Sequence, residues 1–341
     1  MKIKLWGESM KKIVWLGLIV FLFLLTGCGK YSEKDIVKDL GKNVDNIKGY
    51  YLEAQMEIIN NEDTYKYDVK VSYQRGDLFR VSLKNQANSH EQILLRNDDG
   101  VYVLTPSLNK SFKFQSEWPY NNSQSYILQT IVKDIKEDNK RTFEETENYY
   151  VFTTKVSYPN NRKLTKQVVY FDKKLNLKEV QVLDAENNAQ IKVKITKTDM
   201  KATYKAKYFT LNENMQTASV DETVTPVMKI EDIIYPMYIP DKTSLGSQDT
   251  VAKTDGERVI LTFEGDKPFI LVEETASKES EFTTIPTYGE PEMLIDTVGS
   301  VSDNSVSWIS NGLEYYVASD AMSIDELVNV ARSISAIPVG K

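Results

Sequence analysis

Tyr65-Lys66-Tyr67-Asp68-Val69-Lys70-Val71-Ser72-Tyr73-Gln74 is the stretch that decides the fold class of this chain. Aromatic and β-branched residues hold the odd positions, and charged or polar ones hold the even positions. Successive side chains of a strand point to opposite faces, so the segment offers one apolar and one solvated face. That is the pattern of a half-buried antiparallel strand. Working outward, Leu78 to Leu83, Gln92 to Arg96, Val101 to Thr105 and Phe112 to Gln115 read as further strands. Arg75-Gly76-Asp77 and Asp98-Asp99-Gly100 supply tight turns between them. Tyr149 to Val156, Gln167 to Phe171, Leu177 to Leu183 and Gln190 to Thr196 continue the series, so Tyr50 to about Leu211 is predicted to form a large antiparallel sheet.

Helices interrupt it. Ser32-Glu33-Lys34-Asp35 is a capping start, Ile36, Leu40, Val44 and Ile47 recur at helical spacing, and Gly49 ends the run. Asn121 to Lys136, after Trp118-Pro119, carries Tyr126, Ile127, Thr130, Ile131, Asp134 and Ile135 as an amphipathic helix. Asn212 to about Ile230 lacks periodicity and is rich in Thr, Asn and acidic residues, the composition of a linker. A second block opens at Tyr235-Pro236-Met237-Tyr238-Ile239-Pro240. In it Val259 to Phe263 and Phe269 to Glu273 flank a hairpin turn at Glu264-Gly265-Asp266-Lys267, and Ser305 to Ile309 joins Leu313 to Ala318 through Asn311-Gly312. A closing helix is capped by Ser323, with Ile324, Leu327, Val328 and Ala331 on one side. The fold class is therefore α+β.

The N-terminus carries a different signal. Lys11 and Lys12 precede an apolar run from Ile13 to Leu25, followed by Thr26-Gly27-Cys28. Spanning a bilayer takes about 20 apolar residues, so the run has the length of a signal h-region and not of a membrane helix. Met10-Lys11-Lys12 makes a more ordinary signal start than Met1. Leu25-Thr26-Gly27-Cys28 resembles the bacterial lipobox, which implies diacylglyceryl attachment to Cys28 and cleavage before it. The competing reading is an uncleaved N-terminal anchor with Cys28 an incidental thiol. Both place the remaining chain outside the cytoplasm against the cell membrane.

The chain has 341 residues and a formal charge of −7; without residues 1–27, which hold four lysines and one glutamate, the charge is −10. Such acidity argues against a nucleic-acid binder and a polybasic membrane clamp, which leaves the lipid on Cys28 as the membrane contact. Cys28 is the sole cysteine, so no intrachain disulfide is available. His90 is the sole histidine, in a polar stretch between Ser89 and Glu91. A multi-histidine metal site is thereby excluded, and a Ser-His-Asp arrangement would have to use this one residue. Carboxylate neighbours Asp98 and Asp99, Glu144 and Glu145, and Glu273 and Glu274 fall at turns or strand ends, where such pairs are normally solvated. No Gly-rich phosphate loop is present. The inventory points to a chain with no catalytic residue, no metal and no cofactor.

A large antiparallel sheet with interspersed helices on a lipid-anchored chain resembles the lipoprotein-carrier superfamily of LolA, LolB and RseB. The matching parts are the helix from Ser32, the meander from Tyr50, the helix around Tyr126 to Ile135, and Lys207-Tyr208-Phe209-Thr210-Leu211-Asn212 as a closing strand. Ile93 to Pro119 more closely resembles uncharacterised sporulation and germination lipoproteins of Gram-positive spore formers. The resemblance implies an antiparallel half-barrel with covering helices, followed by a smaller α+β domain. The division is a signal at 1–27, a tether at 28–31, the half-barrel at 32–215, a linker at 216–230 and the small domain at 231–341. It also implies an apolar cavity that binds a lipid or acyl chain during sporulation or envelope assembly. Strand alternation makes Tyr65, Tyr67, Val69, Val71, Phe79, Val81, Phe112 and Phe114 its wall, although such faces are also what ordinary core looks like. The alternative is a lipid-tethered scaffold that positions a cell-wall enzyme or envelope sensor. A hydrolase would need His90 or a carboxylate pair to face a cleft.

Overall fold

The computed structural model describes residues 31–60, 63–218, 229–230, 232–254 and 256–334. The signal and Cys28 lie outside the described residues. Helix α1 (Glu33–Asn46) starts as its sequence dictates: Ser32 Oγ accepts from Asp35 N at 3.3 Å, and the Asp35 carboxylate accepts from Ser32 N. Strands β1 (Gly49–Asn60), β2 (Asp63–Gln74), β3 (Leu78–Asn85), β4 (Glu91–Asn97), β5 (Gly100–Thr105) and β6 (Lys110–Phe114) follow as an antiparallel meander. Gly76 at φ 102° and Asp77 at φ 60° make the turn from β2 to β3. Helix α2 (Leu128–Glu137) packs on α1, and β7 (Thr142–Glu145), β8 (Tyr149–Lys155), β9 (Lys166–Asp172), β10 (Leu177–Leu183) and β11 (Ala189–Asp199) complete the first part. β11 pairs with β1.

After α3 (Leu211–Ala218) come β12 (Thr243–Lys253), β13 (Gly256–Gly265), β14 (Phe269–Thr275), β15 (Thr283–Thr287), β16 (Glu290–Met293), β17 (Val298–Val301), β18 (Ser305–Ser310), β19 (Leu313–Ala318) and helix α4 (Ile324–Ser333). Two open sheets result. The larger has 12 strands in the order β15-β6-β5-β4-β3-β2-β1-β11-β10-β9-β8-β7, and the smaller has 7 in the order β12-β13-β14-β19-β18-β17-β16. Among the described residues all pairings are antiparallel but one: β15 crosses from the later block and pairs parallel with β6, Thr283 opposite Lys110 through Thr287 opposite Phe114.

Where structure and sequence reading differ, a physical reason is visible. Lys207 to Asn212 is not a closing strand; residues 206–209 form a 3₁₀ turn and α3 begins at Leu211. The turn buries Phe209, and α3 buries Met215, against Ile93, Leu95, Tyr102 and Leu104, so this segment lies flat on the outer face of β4 and β5. The expected linker therefore begins as helix, and residues 219–228 lie outside the described residues. With both faces of β4 and β5 covered, Ile93-Leu94-Leu95 and Val101 to Leu104 are unbroken buried runs without alternation. The helix expected from Asn121 starts only at Leu128, because Ser123, Asn121 and Asn122 are engaged as loop residues with Asp134, Glu290 and Glu292.

Candidate functional site

The proposed wall residues share the helix-covered face of the larger sheet. Tyr67, Val69, Val71, Phe79, Val81 and Phe114 are buried in its principal core, with Tyr65 and Phe112 half-buried beside them. Aromatic contacts fill the face: Tyr50 to Tyr73 at 5.2 Å, Tyr73 to Phe79 at 4.9 Å, and Phe79 edge-on to Trp118 at 6.2 Å. Phe112 and Phe114 also border a cavity of about 100 Å³, together with Trp308 and Tyr315, which stack on each other at 5.0 Å.

The smaller sheet closes the part of this face that α1 and α2 leave uncovered. Gln92 projects from β4 and behaves as an extra backbone unit: its Oε1 accepts from Val298 N at 2.6 Å and Thr297 Oγ1 at 3.0 Å, and its Nε2 donates to Val298 O at 3.2 Å. Tyr67 donates its hydroxyl to Ile295 O at 2.8 Å. Lys110 pairs with Glu314, and Ser116 and Asn121 both donate to Glu290. These polar contacts are satisfied within the interface, which makes separating the sheets costly.

Beside this interface, a cleft of about 410 Å³ opens between the far end of β1 and helix α4. Ile58, Leu164, Ile191 and Met293 form apolar wall; Asn60, Asn161 and Asn329 bring carboxamides; Lys163 and Arg332 bring positive charge. A second space of about 40 Å³ lies next to it and shares Ile58, Met293 and Arg332 while adding Glu292, Trp118 and Tyr126. Arg332 donates from Nη2 to Met293 O at 3.3 Å, and its Nε is shielded with no hydrogen-bond partner among the described residues. Burial lowers the Arg332 pKa against the opposing pull of Glu292. Burial likewise pushes Glu292 up to about 7, more than Arg332 and the Asn160 amide pull it down.

Other titratable groups depart from their sequence reading. Glu273 is not solvated: it is fully buried on β14 and accepts from Ile234 N at 3.0 Å, and burial raises it to about 7. Its neighbour Glu274 pairs with Lys253 and Arg258, so the two carboxylates serve opposite faces and form no acid pair. Phe269 and Leu271 alternate with Glu273, which was a signal that it lies on the apolar face. Asp98, Asp99, Glu144 and Glu145 are exposed. His90 lies in a loop but is half-buried; its Nε2 is shielded with no hydrogen-bond partner among the described residues, and burial lowers its pKa. Asp134 is held by Ser123 Oγ at 2.7 Å and Gln167 Nε2 at 2.9 Å, while burial raises it to about 6. Among the described residues no group of three or more His, Cys, Asp or Glu side chains could hold a metal.

An α+β chain of two open sheets, one closed over the helix-bearing face of the other, defines the architectural class expected from sequence. The profile of the family described as "Sporulation protein YdcC-like" matches residues 10–209, and the chain belongs to that family. It is 34% identical over 322 residues to sporulation protein YdcC of Bacillus subtilis (strain 168), covering 93% of this chain and 94% of that one. Among solved structures it is similar to MucB, with a TM-score of 0.36 and 11% identity over 90% of this chain and 97% of MucB. It is also similar to a LolA superfamily protein of Nitrosomonas europaea, with a TM-score of 0.29 and 9% identity over 52% of this chain and 98% of that one. Both structural likenesses are remote, and the membership rests on the family match and the Bacillus relative.

Proposed function

We propose that this chain is a lipid-tethered, extracytoplasmic interaction scaffold without catalytic activity that works in sporulation. The observation that carries the reading is the packing of the larger sheet's helix-covered face. Its apolar side chains contact one another, the two helices, the segment around Trp118 and the smaller sheet. A carrier of acyl chains would use that face as a cavity. The space beside Phe112 and Phe114, about 100 Å³, falls below the roughly 300–1,000 Å³ of ordinary ligand pockets, and the cleft of about 410 Å³ at the far end of β1 mixes its apolar wall with asparagine, lysine and arginine side chains that an acyl chain would leave unpaired. Leu25-Thr26-Gly27-Cys28 supports the tether, and the acidic charge supports a membrane contact made by lipid alone. The family's description and the Bacillus relative's name support the setting.

Native mass spectrometry of the full chain, released from membranes in detergent, tests the reading. The expected result is a diacylglyceryl mass that disappears in Cys28→Ala, and no further lipid released by Phe114→Asp. A stoichiometric lipid present in the wild type and lost in a folded Phe114→Asp variant would establish the carrier instead.

A further inference from the structure

The cleft between β1 and α4 combines features that select an occupant. Two cations face it, Lys163 at the rim and Arg332 in the floor, and among the described residues neither forms an ion pair. The nearby Asp325 is already paired with Arg162 at 3.1 Å. Glu292, next to the floor, is raised by burial to about 7 and so offsets only part of the Arg332 charge, while Lys163 at the rim has no ion-pair partner among the described residues. The local field is therefore positive in a protein whose net charge is −7.

The lining is of two kinds. Ile58, Leu164 and Met293 offer apolar contact, and Met237 beside them is 86% exposed, a flexible side chain free to repack around a guest. Asn60, Asn161 and Asn329 each add a carboxamide with a donor and an acceptor end. An acyl chain in this space would desolvate those amides and give them nothing in return, at a cost of about 1–3 kcal/mol for each group left unpaired. A peptide backbone would pair with them.

We propose that this cleft binds a short acidic, apolar peptide segment of a partner protein, its carboxylate held by Arg332 and Lys163 and its backbone by the asparagine amides. This rests on the scaffold reading and names the chemistry of the partner. A guanidinium binds a carboxylate through a planar fork of N–H donors, and Arg332, which lines the cleft, engages Nη2 with Met293 O in only a long hydrogen bond of 3.3 Å.

The test uses the full chain in phosphatidylcholine nanodiscs and affinity selection read by mass spectrometry. One probe is a pool of acetylated heptapeptides made of Asp, Glu, Leu, Val and Ala; the other is the same pool with Asn and Gln replacing the acids. The expected result is retention of the acidic pool, reduced about tenfold by Lys163→Glu at the exposed rim and by the charge-conserving Arg332→Lys in the floor. Lys163→Glu is the decisive variant because its side chain lies outside the core. Equal retention of the two pools, or retention unaffected by Lys163→Glu, overturns the proposal. So does retention of neither pool, and dodecanoate binding that Lys163→Glu abolishes would then assign the cleft to acyl anions. The scaffold reading fails separately, through lipid released by Phe114→Asp.

Discussion

Glu292→Gln converts the buried electrostatics at the sheet boundary into a measurable pH dependence. In the folded chain the Glu292 carboxyl is displaced from its ordinary value of 4.5 to about 7, chiefly by burial. Its neutral form is thereby favoured by roughly 3 kcal/mol relative to the unfolded chain. Between those two pH values the folded protein holds a proton that the unfolded chain has released. Stability therefore falls as pH rises from about 4.5 and levels off above about 7. Glutamine keeps an oxygen to accept from Asn122 Nδ2 and Asn160 Nδ2, which now donate to Glu292 Oε1 at 3.1 and 3.0 Å, but it cannot ionise. Asp134 and Glu273, also raised, push in the same direction; His90, whose pKa is lowered, pushes in the other, losing stability as pH drops through its ordinary value of 6.5. All three are common to both proteins, so the difference between them isolates Glu292. Urea midpoints followed by circular dichroism at pH 5 and pH 8 should show the wild type losing up to roughly 3 kcal/mol more than the variant. Equal losses, or a wild type that gains on the variant at pH 8, would refute the assignment.

Trp118→Ala empties the centre of the aromatic cluster around Phe79 and should cost about 3–5 kcal/mol, read as a lowered urea midpoint. Gln92→Leu removes the side-chain partner of the N–H and C=O of Val298 in a buried interface, while the Thr297 hydroxyl keeps Ile309 O as its acceptor. A loss of about 1–3 kcal/mol per stranded group is expected, with early proteolysis between the two sheets as the second readout. Ser323→Ala removes the oxygen that accepts from Glu326 N and should lower stability by about 0.5–2 kcal/mol, while Ser323→Asp should restore most of it.

The local alphabet of this fold is open to reading. The alternation in β2, the Gly76-Asp77 and Asn311-Gly312 turns, and the serine caps at Ser32 and Ser323 each act over a few residues, and each fixes the element it begins or ends. Distant partnership is not written there. Tyr208, Phe209 and Leu211 have the composition of a strand, and only the apolar outer face of β4 and β5 turns them into a 3₁₀ turn and helix. The cleft joins Ile58, Lys163 and Arg332, far apart in sequence and ordinary in their local settings. Thr283-Thr284-Ile285-Pro286-Thr287 has no alternation that announces a strand; a proline is tolerated there because β15 is an edge strand.

That crossing strand sets a timetable. β6 leaves the ribosome well before its neighbour β15, with more than 160 residues between Phe114 and Thr283, so through much of synthesis the first sheet has a bare rim. An unpaired rim invites the wrong neighbour, and pairing with a residue range so distant is slow. A truncated chain ending near residue 230 would keep that rim permanently. The later block thus acts as a late-arriving guard for the earlier one, and shortened versions of the protein should aggregate through β6 even where every other strand has found its place.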